Sequence, residues 1–450
     1  MEFRDAIGID PDSSGFVLAY VKIAQEQVKK KSYHATESSM KNFIRWVKGE
    51  GDIIIAIEGS NGQSKPIEQA LRENGIIFYS FTPGAVDKFR KAVLGENKNN
   101  EKDAEATARY AMSLEAQGKL NKFKRVWFPD EELQSLTRSY NQKNKVLNGE
   151  VNRLWKTLRL ASPDLYLALG GNNPNIDIHN NILTNKSILL LLSEKPCISE
   201  WKSLSEADFS KIMGRNYKGR SEVIKELQKV SQTFQETSVA VGLLLRSSAV
   251  QILMLKNQMK EIETMLGKIT AYNNNVKVLK EIKGISTLTS STIIAELIDV
   301  RRFLKDGNLA SYSGVVKKEH STGEKKNNND KRMRHNTRYN RRLKDAIMTA
   351  AKNFVIYNPD SHLTGYYKNL IKNGMSLIEA RKRVARALCR VIFKKLNSLI
   401  EEESLNSEER ESDMARGLIP MDIIDPSNIS LLSGIQYSLD MIGNVKRKIS

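Results

Sequence analysis

The sequence is poor in cysteine, in proline and in long apolar runs, and each shortage excludes a class of protein. Cys197 and Cys389 are the only two cysteines, too few for a disulfide framework or a four-cysteine zinc site, so we expect a reducing compartment. With 10 prolines and 40% hydrophobic residues, the chain fits neither a fibrous nor a disordered class. The longest apolar run, ILLLLSE near residue 190, is far shorter than the roughly 18 residues that a membrane span needs.

The amino terminus also lacks the features of a signal peptide. The segment MEFRDAIGID has acidic residues where a signal has a basic region followed by an apolar core. We therefore expect a soluble, cytoplasmic protein. Its length is sufficient for about three domains.

Positive charge is present in excess, and it is concentrated in one segment. The chain carries 71 Lys and Arg against 52 Asp and Glu, a net charge of +19. Residues 301–400 contain 24 Lys and Arg against 7 Asp and Glu, which accounts for nearly the whole excess. Such a concentration is typical of a surface that binds DNA or RNA. A solvated basic helix face is the plainer alternative, and a membrane-surface role is disfavoured because no apolar anchor adjoins the basic stretches.

The first 120 residues alternate between strand and helix patterns. Strands are predicted at 6–10, 16–24, 27–35, 52–59 and 76–81, and helices at 38–50, 64–74, 85–93 and 101–117. The first helix is expected to have Ser38 or Ser39 as its N-cap. The run DIIIAIEG has no polar alternation, which suits a central strand buried on both faces. This order of elements is that of the ribonuclease-H-like fold.

The rest of the chain has mainly helical patterns. Two long helical stretches, about 130–160 and 220–270, predict an antiparallel hairpin or coiled-coil arm whose leucines form a core or, alternatively, a dimer contact. The segment 279–297 predicts two helices joined at a glycine, either an ordinary turn or one that aims backbone amides at phosphates. The predicted domains are 1–125, 126–275 with an inserted subdomain at about 160–220, 276–400, and a tail at 401–450.

Three acidic residues are candidates for a metal site. Asp10 ends the first strand, Glu58 ends the buried fourth strand, and Asp103 lies in the helix after the last strand. In a ribonuclease-H-like sheet the first and fourth strands are neighbours, so we expect these carboxylates to converge. Hard oxygen ligands of this kind bind Mg²⁺ or Mn²⁺ for phosphodiester chemistry. The alternative is structural, because Asp often forms turns and Glu58 could cap the next helix.

The same residues resemble a known family. The ordered set IGID, IAIEGSNG and TPGAVDKFRKAVLGENKNNEKDAEATARYA, followed by KGISTLTSSTIIAEL, RRFLKDGNLASYSGVV, HSTGEKK and RHNTRYNRRLKDAI, is similar to the DEDD-type transposases and site-specific recombinases that include the Piv DNA invertase. The resemblance covers about 1–120 and 275–400. It implies an N-terminal ribonuclease-H-like (RuvC-like) domain, a helical coiled-coil arm and a mainly helical C-terminal transposase domain.

Two positions depart from the family pattern. Asp10 and Glu58 match the first two acids of the family and Asp103 the fourth, but Asn100 occupies the position of the third. An amide offers a neutral oxygen to a metal, so a weaker site is expected. The nucleophilic serine of the family precedes a glycine, and here Thr322 precedes Gly323, with Ser321 one residue earlier. A threonine hydroxyl can attack phosphorus, although its β-branch restricts the approach.

The resemblance also implies partners. They are DNA, a structured noncoding guide RNA as used by one branch of the family, and a second copy of the chain in a dimer or tetramer with shared sites, in a nucleoid-associated protein. The expected phosphate contacts are Lys331, Arg332, Arg334, Arg338, Arg341 and Arg342. Because two catalytic positions are altered, a domesticated relative that binds RNA and DNA without cutting is the main alternative. A metal-dependent junction nuclease that uses water is a third reading.

Overall fold

The computed structural model describes residues 4–22, 28–59, 62–161, 183–213, 225, 228–229, 239–316 and 339–415. The chain divides into an N-terminal unit, Met1–Phe128, and a C-terminal unit, Pro129–Ser450. Thr322, Ser321 and most of the predicted basic contacts lie outside the described residues.

A mixed five-stranded sheet is the centre of the N-terminal unit. Its strands are β1 (Ala6–Pro11), β2 (Gly15–Val21), β3 (Val28–His34), β4 (Ile54–Glu58) and β5 (Tyr79–Phe81). The strand order is β3-β2-β1-β4-β5, with β1, β4 and β5 parallel and β2 and β3 antiparallel to their neighbours. This sheet agrees with the predicted ribonuclease-H-like domain, since the first and fourth strands are adjacent and the fourth is buried.

Helices cover both faces of the sheet. They are α1 (Glu37–Gly49), α2 (Lys65–Glu73), α3 (Pro83–Val93) and α4 (Asn100–Ala116). Alternate strand residues belong to two cores: Ile55 and Ile57 pack in the core that contains α1 and α2, whereas Ile54 and Ala56 pack in the core that contains α3 and α4. The N-cap of α1 is Thr36, so the prediction of Ser38 or Ser39 was wrong; the Thr36 hydroxyl accepts a hydrogen bond from the Ser39 amide.

The packing of α4 on β1 depends on a glycine. A Cβ atom at Gly8 would overlap the carbonyl oxygen of Ala104 and the amide nitrogen of Ala108. Ala104 and Ala108 are themselves fully buried, so small residues on both elements allow their backbones to approach closely. This contact fixes the height of α4 along β1, and with it the position of Asp103.

The C-terminal unit is helical throughout its described residues. Its helices are α5 (Glu131–Ala161), α6 (Lys186–Glu194), α7 (Glu206–Met213), α8 (Val239–Ile269), α9 (Asn274–Lys280), α10 (Thr287–Leu297), α11 (Asp306–Tyr312), α12 (Arg341–Tyr357), α13 (His362–Lys372) and α14 (Leu377–Ala415). The turn between α9 and α10 contains Gly284 at φ 98°, as the glycine-centred pattern predicted.

The long helices α5 and α8 lie side by side and antiparallel. The Tyr140 hydroxyl donates to Glu263, and the Lys143 ammonium donates to Gln258. Residue numbers therefore increase along α5 where those of its partners in α8 decrease. Together with α6 and α7 they enclose a core around Trp201. The coiled-coil character of this pair stays a prediction.

Helix α8 is also apolar. By length and composition it is the one helix among the described residues that could cross a membrane, with a mean hydropathy of 1.5 over its best window. Its Leu245 and Ile252 are fully buried against the neighbouring helices, but only 28% of that apolar window is buried. Leu243 and Leu244 are exposed, so these two leucines do not belong to the predicted core side.

The Gly8 contact yields a first prediction. Gly8→Ala places a methyl group against the backbone of α4, and the strain should lower the free energy of unfolding by about 1–3 kcal/mol. Gly84→Ala is the matched control, because a Cβ atom there meets nothing within 4 Å. Urea unfolding of the full chain followed by circular dichroism measures both. A Gly8→Ala protein as stable as the control would contradict the close packing of α4.

Candidate active site

The sheet brings Asp10 and Glu58 to one edge. Ile9 of β1 pairs with Ile57 of β4 in parallel register, so the next residue on each strand is an acid. Both side chains are half-buried at the carboxyl ends of their strands. The predicted convergence of these two carboxylates follows directly from this register.

Asp103 reaches the same region from α4. The helix is capped by Asn99, whose side chain accepts a hydrogen bond from the Lys102 amide, and Asp103 follows in the first turn. Asp103 is only 5% exposed. Asn100, the first residue of α4, is exposed and makes no hydrogen bond with a described residue. The nearby acids Glu101 and Glu105 form ion pairs with Lys30 of β3 instead. Their charges are therefore directed towards Lys30.

The three carboxylates interact electrostatically. Burial, followed by the negative charge of Asp103, raises the pKa of Asp10 to about 6. Burial, followed by the charges of Asp10 and Asp103, raises the pKa of Glu58 to about 7. The ammonium of Lys98 opposes both shifts without cancelling them. The edge of the sheet therefore carries more negative charge than its cations neutralise.

Arg90 of α3 forms a buried ion pair with Asp103. None of the sequence patterns described above predicted this residue. Its Nε lies 2.8 Å from Oδ1 of Asp103, and both side chains are almost fully buried. Burial raises the pKa of Asp103, while the charges of Lys98 and Arg90 act in the opposite direction. The signal available in the sequence was the spacing of Asp87 and Arg90, which form an ion pair one turn apart.

The same arginine also shapes the loop before α4. Its Nη1 donates to the carbonyl oxygens of Gly95, Glu96 and Asn97, at 3.0–3.1 Å. Arg90 thus links the loop that leads to Asn100 with the carboxylate that follows it. Loss of this side chain would leave both the loop carbonyls and Asp103 without their buried partner.

The residues present fit a divalent cation, with Asp10 and Glu58 as the available ligands. Both offer hard carboxylate oxygens, and their pKa values are raised first by burial and then by repulsion between the acids, both of which a cation would offset. Among the described residues, no group of three or more His, Cys, Asp or Glu side chains stands close enough to hold a metal ion. Asp103 is paired with Arg90, so it does not form a third ligand together with Asp10 and Glu58.

In the C-terminal unit, two of the predicted basic contacts are visible. Arg341 and Arg342 begin α12 and are exposed. Thr322, Ser321, Lys331, Arg332, Arg334 and Arg338 lie outside the described residues.

The described residues on either side of 317–338 contact one another. The Asn340 amide donates to the Tyr312 carbonyl at 2.9 Å, and Gly314, at φ 69°, lies so close to Tyr339 that a Cβ atom would overlap its ring. Asn340 caps α12 and also donates through its side chain to Glu296 at 2.8 Å.

Glu296 is buried and lies at the centre of a hydrogen-bond network with Arg138 and Asn340, which we call the Glu296 anchor. It is 2% exposed and accepts two hydrogen bonds from Arg138 of α5, at 2.7 and 3.2 Å. Burial acts to raise the pKa of Glu296, but the hydrogen bonds from Arg138 and Asn340 outweigh it and lower the pKa. The network joins α5, α10 and the start of α12, and no local sequence pattern indicated it.

Two family models match the chain. The model DEDD_Tnp_IS110, described as a transposase, matches residues 7–163, and the model described as Transposase IS116/IS110/IS902 family matches residues 276–368. Together they span more than half of the chain. Among solved structures, the chain is similar to T. thermophilus RuvC in complex with a Holliday junction substrate, at 14% identity over 26% of this chain and 97% of that chain, with a TM-score of 0.21. No curated protein matches.

The raised pKa of Asp10 predicts how stability depends on pH. Because the folded-state value of about 6 lies above the ordinary 3.8, the folded chain holds this proton more tightly, and the resulting stability is lost as the pH rises through about 6. Asp10→Asn removes the charge, so at pH 8 in EDTA it should raise the midpoint of thermal unfolding by about 2–4 °C, allowing for solvent screening.

The gain should shrink at pH 5, where the wild-type carboxyl is already largely protonated. Glu37→Gln is the control, since Glu37 is exposed and pairs only with Lys41 along α1, and its effect should be small at both pH values. An Asp10→Asn protein less stable than wild type at pH 8 would mean that the carboxylate is not strained by its neighbours.

Proposed function

We propose that this chain, which belongs to the IS116/IS110/IS902 family of transposases, is an RNA-guided enzyme that cuts and joins DNA through metal-assisted attack by a side-chain hydroxyl. The observation that carries the proposal is the edge of the N-terminal sheet, where Asp10 and Glu58 converge and Asp103 lies within electrostatic reach. Carboxylates placed in this way are suited to phosphodiester chemistry.

Asp10 and Glu58 would hold Mg²⁺ or Mn²⁺, with Asp103 adding charge and Asn100 a neutral oxygen. A bound divalent ion would polarise the scissile phosphate and help to deprotonate an attacking hydroxyl. The chain itself supplies the rest. Burial of the carboxylates limits water, Lys98 stands beside them as a cation for a phosphate oxygen, and Arg90 forms an ion pair with the Asp103 carboxylate.

The attacking group would be the hydroxyl of Thr322 or Ser321. Its oxygen forms a bond to phosphorus while the bond from phosphorus to the leaving deoxyribose oxygen breaks; the attacking hydroxyl loses its proton to water and the leaving oxygen takes one up, so that it departs as a free hydroxyl. The covalent link keeps the phosphodiester energy, so a new strand end can later be joined by the reverse reaction. Thr322 precedes Gly323, which suits a sharp turn close to the phosphate.

The proposed organisation is a DEDD domain at 1–125, a helical arm at 126–275 and a transposase domain at 276–400. Arg341 and Arg342, exposed at the start of α12, support nucleic-acid contact near the basic segment. A structured guide RNA and a dimer or tetramer with shared sites are proposed from the family resemblance. Such an enzyme would work in the cytoplasm, at the nucleoid.

One observation favours a second function. Asp103 is already paired with Arg90, and Asn100 is exposed and neutral, so the site has fewer free carboxylates than four acids would give. A relative that binds RNA and DNA without cutting would tolerate both features. A covalent protein–DNA adduct decides between the two functions.

The metal proposal predicts opposite effects of two substitutions. Asp10→Ala should abolish binding of Mn²⁺, and Asn100→Asp should tighten it about tenfold because a further carboxylate charge faces the ion. Titration calorimetry with the metal alone measures both. Lys102→Gln, on the same helix turn, is a control for a general change in charge. Unchanged affinity in Asn100→Asp would remove Asn100 from the ligand set.

The nucleophile proposal predicts which hydroxyl carries the DNA. On a suicide substrate with total RNA from the source cell, Thr322→Ala should abolish the covalent adduct, Thr322→Ser should retain or increase it, and Ser321→Ala should have a milder effect. An adduct lost only in Ser321→Ala would reassign the nucleophile. Tight RNA binding with no adduct in any protein would favour the cleavage-deficient function.

A further inference from the structure

A basic cleft lies within the C-terminal unit, and it is distinct from the acidic edge described above. Its volume is about 670 Å³. It is lined by residues of four helices: Tyr140, Asn141, Asn144, Lys145 and Asn148 of α5; Leu288, Thr289 and Thr292 of α10; Arg342, Asp345, Ala346, Met348, Thr349 and Lys352 of α12; and Arg381 of α14. We refer to these residues as the basic cleft.

Cations dominate this lining and are free to bind a ligand. The four are Lys145, Lys352, Arg342 and Arg381; none forms an ion pair with a described residue, although the charge of Arg342 also acts on the nearby carboxylate of Glu296. Other cations of the same unit are paired with carboxylates, for example Arg390 with Asp306 at 3.0 Å. Unpaired cations that repel one another around a concavity indicate a site for an anionic ligand.

Helical periodicity aligns the polar groups into two rows. Asn141, Lys145 and Asn148 share one face of α5, and Arg342, Thr349 and Lys352 share one face of α12. Ten residues separate Arg342 from Lys352, a distance of about 15 Å along the helix. A nucleic-acid strand carries a charge about every 3.4 Å of helix axis, so a row of this length can contact more than one phosphate.

The floor of the cleft is uncharged. Thr289 and Thr292 of α10 are nearly buried, and the Thr292 hydroxyl donates to the Leu288 carbonyl. Tyr140 is the only aromatic side chain of the lining, and its hydroxyl is bound to Glu263. With a single aromatic ring there is little surface on which bases could stack, so contacts to phosphate and sugar are favoured.

We propose that the basic cleft binds the sugar–phosphate backbone of a single nucleic-acid strand. A cavity of this volume lies in the size range of small-ligand sites, which admits one strand and is too small for a duplex. The cations would neutralise phosphates, and the asparagine and threonine side chains would donate to phosphate oxygens and sugar hydroxyls. The inference rests on the proposed function, since it names one place where the nucleic acid lies.

The single carboxylate of the lining, Asp345, bears on the type of strand. It forms no hydrogen bond or ion pair with a described residue, so its oxygens are available as acceptors. A ribose 2′-hydroxyl can donate to such an acceptor, and deoxyribose has no such group. RNA and DNA share the phosphate chemistry, and the experiment therefore includes both.

The test measures fluorescence anisotropy of the full-length protein with a short single-stranded RNA, DNA of the same sequence, and the corresponding duplex. The double variant Lys145→Gln/Lys352→Gln should bind both single strands about tenfold more weakly. The slope of log affinity against log salt should fall by about 1.4, because each of two phosphates that is no longer neutralised removes about 0.7. The losses for RNA and DNA should be equal, because the lysines contact phosphates that both strands carry; tighter binding of RNA than of DNA by the wild-type protein would add a ribose contact, and either result for the wild type supports the cleft.

The matched control is Lys260→Gln/Lys372→Gln, which removes the same charge from exposed lysines outside the cleft. It should change affinity less than twofold. Equal losses of affinity in the two double variants, or a loss confined to the duplex, would overturn the inference.

The failure of the cleft and the failure of the proposed function give different results. If wild-type protein binds nucleic acid and Arg341→Ala weakens it while the cleft variant does not, the cleft is wrong and the proposed function stands. If wild-type protein binds none of the three probes, the proposed function fails. Circular dichroism and thermal unfolding show whether each variant is folded, and the substituted lysines are exposed, so folding should be retained.

Discussion

The close contact between α4 and β1 at Gly8 is the constraint on which the acidic edge depends. Neither strand register nor helix propensity alone would place Asp103 near Asp10, because the two residues belong to elements far apart in the chain. A side chain at Gly8 would overlap the backbone of α4 at Ala104 and Ala108 and would force the helix away from the strand. The absence of one methyl group therefore determines the electrostatic environment of three carboxylates.

Bringing Asp10, Glu58 and Asp103 together has an electrostatic cost, and the N-terminal unit compensates the three acids to different extents. Arg90 compensates Asp103 directly, while its Nη1 donates to loop carbonyls and its Nη2 donates to Asp87. Among the described residues Asp10 and Glu58 have no comparable partner, and burial, followed by the charges of the neighbouring acids, raises their pKa values. An edge with two uncompensated acids and one compensated acid is poised for a cation, and it is also sensitive to the protonation state of either ligand.

Much of the N-terminal unit could be predicted from sequence because its signals are local. The β-branched run before Glu58 indicates a strand buried on both faces, and the breakers Asn74-Gly75 and Pro83-Gly84 mark where elements end. Asp10 and Glu58 follow from strand order. Glu296 could not be found in this way, and the local Asp87–Arg90 spacing does not reveal that Arg90 is buried against Asp103, since such a pair joins residues distant in sequence and charged side chains are ordinarily assigned to the surface. The exposed Leu243 and Leu244 show the converse limit, because an apolar stretch does not reveal which of its faces is covered.

The anchor at Glu296 has a consequence for how this molecule can be altered. Tyr312 and Gly314 on one side of residues 317–338, and Tyr339 and Asn340 on the other, are neighbours in the fold, joined by the Asn340–Tyr312 hydrogen bond and by the packing of Gly314 against Tyr339. When the two ends of a chain segment are held together, doubling the length of the segment costs only about 0.6 kcal/mol of closure entropy. The helical core around Glu296 therefore tolerates insertions and deletions between Gly314 and Asn340 at little cost in stability.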